Sequence, residues 1–239
     1  MADQTRIDWC DATVNPWGWG CYGPGGTADK PQVCWYCYAR RLAQRKLRAC
    51  PDCQAFRPHW HPQELEKPLH WKRPRRIFVQ SMGDPFGEWV TREQLVQVFA
   101  HIGAAPQHTY MFLTKQPQNI LRLLPTLPVA NVWVGASVDT RERGFDSAGA
   151  MWSVRHAGWQ VFASVEPVLA AVAPESLGWA EWVIIGALTG PVAKTYRPRR
   201  EWVTDIIERC DEIGTPVFVK SSLAHVSARQ EWPEVMPCP

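Results

Sequence analysis

Three cysteines stand close together early in the chain, in the stretch GWGCYGPGGTADKPQVCWYCYARRLA that covers residues 18–43: Cys21, Cys34 and Cys37. Thiolates are nucleophiles, redox groups and soft metal ligands, and an odd number of them cannot pair off completely into disulfides. Cys34 and Cys37 lie one turn apart, and a glycine-rich loop of 12 residues lets Cys21 return toward them. Three thiolates around a metal leave one coordination position open. On zinc it would take water or a fourth protein ligand; on a 4Fe-4S cluster it would be one iron without a cysteine. The bland alternative, Cys34 and Cys37 merely buried in a helix, has to explain a CxxC beside a third cysteine in a chain that shows no export signal.

A second CxxC follows in CPDCQAFRPHWH, residues 50–61. Cys50, Cys53, His59 and His61 are four ligands of the kind that close a structural zinc site, although HxH is tighter than the usual histidine spacing. Completion of such a site by Cys10, Cys210 or Cys238, an auxiliary cluster, and a proline-turned loop with two free thiols are the alternatives.

These side chains need a scaffold, and past residue 75 the chain supplies a repeating one. Short, nearly continuous apolar runs occur at 76–82, 109–114, 131–138, 160–165, 182–188 and 216–221, as expected of parallel strands covered on both faces. Helical stretches lie between them. TREQLVQVFAHIGAA, 91–105, opens with Thr91 and Gln94 at capping-box spacing, and RREWVTDIIERCDEIG, 199–214, ends on a C′ glycine. Further helices are expected near 35–48, 117–124 and 141–157, and a first strand near 12–17. Alternation of this kind predicts an α/β fold, a partial or tight (β/α) barrel of about 6–7 parallel strands, because a complete eightfold barrel typically needs ~250 residues. One domain is expected over residues 1–239, with an irregular Cys/His/Pro-rich insertion at about 49–70. A doubly wound open sheet is the competing architecture, but the chain carries neither GxGxxG nor GxxxxGK[ST].

In parallel barrels, ligand chemistry collects at the carboxyl ends of the strands. Each apolar run here breaks into polar residues at that end: Ser81, Gly83 and Asp84; Thr114 and Lys115; Ser137 and Asp139; Ser164 and Glu166; Thr189; and Lys220, Ser221 and Ser222. Thr189 and Ser222 read as turn or cap residues. Asp84, Lys115, Glu166 and Lys220 are harder to dismiss, since a charge beside a buried strand costs free energy unless it is paired.

Composition bounds the function classes. The chain has 239 residues, 46% hydrophobic and 21% charged, which is enough for a large core and does not call for a disulfide scaffold despite eight cysteines. No run of 18 apolar residues and no signal-like amino terminus occur, so a cytoplasmic protein without a membrane span is expected. The net charge of +3 says little about nucleic acid, but ten of the 26 Lys and Arg residues fall in 39–48 and 67–76, near Trp60, Trp71 and three histidines. Such a surface suits phosphate tracking and base stacking; arginine stems covering aromatic rings would produce the same sequence.

A cysteine loop after the first strand, Tyr36 directly before the last cysteine, and Gly83-Asp84 after the second strand resemble the radical S-adenosylmethionine superfamily, whose usual spacing is CxxxCxxC. More closely, TVNPWGWGC, CWYCYARRLA, RPRRIFVQSMGDPF, HTYMFLTKQP, NVWVGASVDT, FASVEPVLA and PVFVKSS run in the order of a phage- and prophage-borne three-cysteine-motif family of unassigned function. Two blocks differ: GALTG stands where that family has Gly-Gly-Glu-Ser-Gly, and Val165 where it has cysteine. The resemblance implies that Cys21, Cys34 and Cys37 hold a 4Fe-4S cluster whose open iron chelates S-adenosylmethionine. Tyr36 would lie near the adenine, Gly83 and Asp84 near the methionine amino group, and Ser137 and Asp139 near the ribose or carboxylate. The expected chemistry is reductive cleavage to a 5′-deoxyadenosyl radical that abstracts hydrogen from a substrate, with the electron supplied by a reductant protein. Lys115, Glu166 and Lys220 are the candidates for the substrate end, and a nucleotide or nucleic acid is the substrate that the basic, aromatic stretch suggests. The rival from another class is a zinc-bearing nucleic-acid-binding module without catalysis. A metal-dependent barrel hydrolase is disfavoured, because the chain lacks HExxH and a strand-end HxH.

Overall fold

The computed structural model describes residues 5–46, 50–190, 193 and 196–236. Two compact units divide the chain, one ending at Leu127 and the other beginning at Pro128.

The first unit contains β1 (Ala12–Val14), α1 (Tyr38–Lys46), α2 (Pro51–Gln54), a 3₁₀ stretch (Pro62–His70), β2 (Arg76–Val79), α3 (Arg92–Ala104), β3 (Thr109–Thr114) and, after a 3₁₀ turn, α4 (Ile120–Leu123). Its strands are parallel in the order β1-β2-β3, with Ala12 opposite Ile77 and Ile77 opposite Tyr110. Ile77, Phe78, Val79, Met111 and Phe112 are all buried, which explains why their sequence runs are apolar without alternation. Helix α3 starts as its sequence predicts. The Thr91 hydroxyl accepts from the Gln94 amide, and the Gln94 side chain accepts from the Thr91 amide. The same Gln94 oxygen accepts from the Trp17 indole at 2.7 Å, tying the helix start to the loop after β1.

The second unit contains β4 (Val132–Ser137), α5 (Arg141–His156), β5 (Gln160–Val165), a 3₁₀ turn (Pro174–Leu177), β6 (Val183–Ile185), α6 (Arg200–Ile213) and β7 (Val217–Val219). These strands are also parallel, in the order β4-β5-β6-β7. Their register places Val165 opposite Ile185 and Ile185 opposite Val219, so the carboxyl ends of β5, β6 and β7 lie side by side.

All seven expected strands form, and five stop earlier than expected, β1 at Val14 and β4 at Ser137 among them. The 76–82 run ends at Val79 because Gln80 adopts φ 67°, while 182–188 and 216–221 contract to three residues each. The irregular stretch from 49 contains helical turns at α2 and Pro62–His70. Leu47 and Arg48 of the basic run, Ala49 and Cys238 lie outside the described residues. Among the described residues, no helix is long and apolar enough to cross a membrane.

Candidate functional site

In the first unit, chemistry gathers where the chain leaves β1 and β2. Buried Gln80 directs both its amide and its side chain at the segment after β1: its amide donates to the Val14 carbonyl at 2.7 Å, its Oε1 accepts from the Trp17 amide at 3.1 Å, and its Nε2 donates to the Gly18 carbonyl at 2.8 Å. Asn15 returns the favour, its Oδ1 accepting from the Met82 amide at 2.9 Å and from the Ser81 hydroxyl at 3.3 Å. Gly20 and Gly83 then pair as a parallel bridge. Neither tolerates a side chain, because a Cβ on Gly83 would come within 2.4 Å of the Gly20 carbonyl and one on Gly20 within 2.2 Å of the Arg57 backbone. This zipper delivers Cys21 beside Asp84.

Cys21 is partly buried, and its thiol is held well above the usual range, first by burial and then by the neighbouring Asp84 carboxylate, with Cys37 and Cys34 also in its field. The Gly23 amide donates to its sulfur at 3.2 Å. Cys34 and Cys37 flank a turn closed by the Cys37 amide on the Cys34 carbonyl at 3.0 Å, and α1 follows at once. The Arg40 amide of that first helical turn donates to Cys37 Sγ at 3.4 Å, opposing the burial that raises the Cys37 thiol. The loop between Cys21 and Cys34 is pinched at its base, where the Gln32 amide donates to the Tyr22 carbonyl at 2.6 Å.

Asp84 is fully buried, which pushes its pKa up, and three donors oppose that shift: the Thr114 hydroxyl at 2.6 Å, the Lys115 amide at 3.0 Å and the Phe86 amide at 3.0 Å. The Lys115 ammonium lies 5.6 Å from the centre of the Tyr36 ring. Cys21, Cys34, Cys37, Tyr36, Gly83, Asp84 and Lys115 thus form one constellation built on the ends of β1, β2 and β3. An Asp84→Ala substitution strands two buried donors and a third that is partly buried, and is expected to lower stability by about 2–4 kcal/mol in urea denaturation. An unchanged midpoint would show that the carboxylate is not part of the framework.

In the second unit, Ser137 pairs with Ser164 across β4 and β5, and Ser164 Oγ is buried with no hydrogen-bond partner among the described residues. Asp139 is buried and ion-paired to Arg143 at 2.5 Å, one helical turn along α5. Glu166 and Lys220 meet in an ion pair above Gly186. Each directly follows its strand, and Gly186 occupies the position between them; a Cβ there would sit 2.9 Å from both side chains. The glycine lets an acid on β5 reach a lysine on β7 across the end of β6. Ser222 has the turn role expected of it, accepting from the Ala187 amide at 3.1 Å.

The second cysteine pair also comes together. Cys50, Cys53, His59 and His61 present ligand atoms that all lie within 4.8 Å of one another, and among the described residues this is the group that converges closely enough for a single ion. Cys10 and Cys210 are not in it. The basic, aromatic stretch resolves differently. Trp60 packs on buried Trp17 at 5.6 Å, and the Arg75 guanidinium lies 4.6 Å from the Trp71 ring centre, so these rings are engaged within the protein. Exposure falls instead on Trp35, 62% accessible, between Cys34 and Tyr36. Gln80 and Asn15 drew no notice in the sequence, where a lone amide after a strand carries no signal of the loop it holds.

The family model described as "Protein of unknown function (DUF5131)" matches residues 4–232. No curated protein matches the chain. Among solved structures, spore photoproduct lyase complexed with dinucleoside spore photoproduct is similar, with a TM-score of 0.61 at 14% identity over 92% of this chain and 78% of that one. A cysteine-to-serine mutant of the same lyase gives 0.60 at 13% identity over the same shares. The likeness shows the fold: an α/β partial barrel of seven parallel strands, the class predicted from the alternating runs.

Proposed function

This chain belongs to the DUF5131 family, and we propose that it is a radical S-adenosylmethionine enzyme acting on a nucleotide or nucleic-acid substrate. The observation that carries the reading is the three-cysteine constellation after β1, set beside buried Asp84 in a fold shared with spore photoproduct lyase, a radical S-adenosylmethionine enzyme. The donor set fits a cluster better than a lone ion: it is all thiol, odd in number, and not among the groups of described residues that converge on one point. Cys21, Cys34 and Cys37 would hold a 4Fe-4S cluster. Bound with S-adenosylmethionine and reduced by a separate protein, it supplies a 5′-deoxyadenosyl radical for hydrogen abstraction.

The chain's own residues bind and orient. Asp84 presents a carboxylate fixed by three donors, suited to an ammonium group such as that of methionine. Tyr36 offers a ring face, with Lys115 beside it as a cation for a carboxylate or phosphate. In the second unit, Glu166 and Lys220 can hold a proton between an acid and an amine and are the candidates for the substrate end, with Ser137 and Asp139 at and just past the end of β4. Two features support the substrate class. Exposed Trp35 offers a stacking face next to the cysteines, and Arg40 and Arg45 are exposed on the helix that follows.

Anaerobic purification with iron and sulfide reconstitution tests the reading. A brown protein with about four irons per chain that cleaves S-adenosylmethionine to 5′-deoxyadenosine on reduction is the expected result. A colourless protein without iron after reconstitution would overturn it.

A further inference from the structure

We infer that Cys50, Cys53, His59 and His61 bind one zinc ion in a closed tetrahedral site, and that this knuckle sets the position of the loop carrying Cys21. The second clause rests on the cluster reading above; the first stands without it.

The sulfur–nitrogen separations already have the spacing of a tetrahedron's corners. Cys50 Sγ lies 3.1 Å from His59 Nε2 and 3.6 Å from His61 Nε2, and Cys53 Sγ lies 3.4 and 3.7 Å from the same two atoms. Bonds of ~2.3 Å to sulfur and ~2.05 Å to nitrogen put sulfur and nitrogen about 3.6 Å apart around zinc. The histidine tautomers point the same way. His59 Nδ1 lies 2.7 Å from the Arg57 carbonyl, which can only accept, so Nδ1 carries the proton and Nε2 keeps its lone pair. Gln63 Nε2 lies 2.6 Å from His61 Nδ1; with the amide turned over, its oxygen accepts from Nδ1 and leaves the His61 Nε2 lone pair free. With that orientation both Nε2 lone pairs face one another at 2.5 Å, an arrangement that repels, and a zinc ion seated among the four donors would spread the two nitrogens to about 3.3 Å. With two sulfurs and two nitrogens the shell is full, so the site is structural and holds no position for substrate.

The knuckle grips the cluster loop at both ends. Before Cys21, the Trp19 amide donates to Cys53 Sγ at 3.3 Å, and Gly18, at φ 62°, passes so close to the His59 ring that a Cβ would come within 2.4 Å of it. The His61 amide donates to the Pro16 carbonyl at 2.6 Å. Beneath the loop, Phe56, between the cysteine and histidine ligands, packs with Ala39 and Ala43 of α1, and Cys21 and Cys37 rest on that same apolar cluster. Residues 16–20 and the start of α1 therefore both take their positions from the Cys50–His61 segment.

Metal analysis of the full chain, purified under reducing conditions, separates the two claims. About one zinc per chain is expected, kept in a Cys34→Ala variant that has lost its iron. Cobalt(II) in its place should give the intense visible bands of a tetrahedral thiolate-imidazole site. Cys50→Ser and His61→Asn should each retain at least ~10-fold less zinc. If either variant fails to fold, the wild type decides: stripping zinc with a chelator should raise amide exchange across residues 16–21, and returning zinc should lower it. A protein that neither carries nor takes up zinc, or full zinc retention in both variants, overturns the site. Exchange at 16–21 indifferent to zinc overturns the clamp. A protein that binds zinc and never binds iron keeps the site and sinks the cluster.

Discussion

Cys34→Ala is expected to leave a folded, colourless protein that retains less than a tenth of the wild-type iron and forms no measurable 5′-deoxyadenosine. Cys34 is half-buried on a turn rather than in the core, so its loss creates no large cavity and the fold should persist. What would disappear is one of the three corners of the proposed cluster site, and the carboxylate beside Cys21, Asp84, is already committed to Thr114, Lys115 and Phe86. The fall in cleavage should therefore exceed the roughly 100-fold seen when only an outer hydrogen-bond partner of a metal ligand is lost. Iron content and 5′-deoxyadenosine yield, measured on the same sample, check it. Normal iron with normal cleavage would remove Cys34 from the ligand set.

Lys220→Met should cost about 2–4 kcal/mol, because it strips the cation from a carboxylate that is 23% exposed and leaves Glu166 charged beside the β6 end. The double variant Glu166→Gln/Lys220→Met removes both charges and should recover most of that loss, giving a coupling energy of about 1–3 kcal/mol in urea denaturation. Turnover supplies the decisive contrast. A pair that only braces the strand ends would leave the stabilised double variant as active as wild type, whereas a pair that meets substrate leaves it folded and inactive. Full activity in the double variant would retire Glu166 and Lys220 as substrate-side groups.

Strands and helices were legible because burial on both faces leaves no freedom in the apolar runs: β3 and β5 match their sequence limits at both ends. The four residues proposed for zinc can be read from residue type and spacing, although only the fold shows that Arg57 and Gln63 lie against the two rings. Other features were hidden for a physical reason, since they depend on register. That Glu166 reaches Lys220 follows only when Val165, Ile185 and Val219 stand abreast and the residue after β6 has no side chain. Trp60 and Trp71 read as stacking surfaces because sequence does not reveal what already covers a ring. The polar residues that follow the strands are visible in the sequence, yet Gln80, which organises the loop after β1, is not, because its role lies in a left-handed backbone and two side-chain contacts far away in sequence.

The pinch between Tyr22 and Gln32 changes how the cysteine spacing should be counted. Residues 23–31 leave and re-enter the chain path at one place, a side excursion that does not advance the backbone. Spliced across that closure, the order reads Cys21-Tyr22-Gln32-Val33-Cys34, with three residues between the cysteines and two more before Cys37. Along its spatial path the segment is a CxxxCxxC, and the long gap in the linear sequence is a side loop closed between Tyr22 and Gln32.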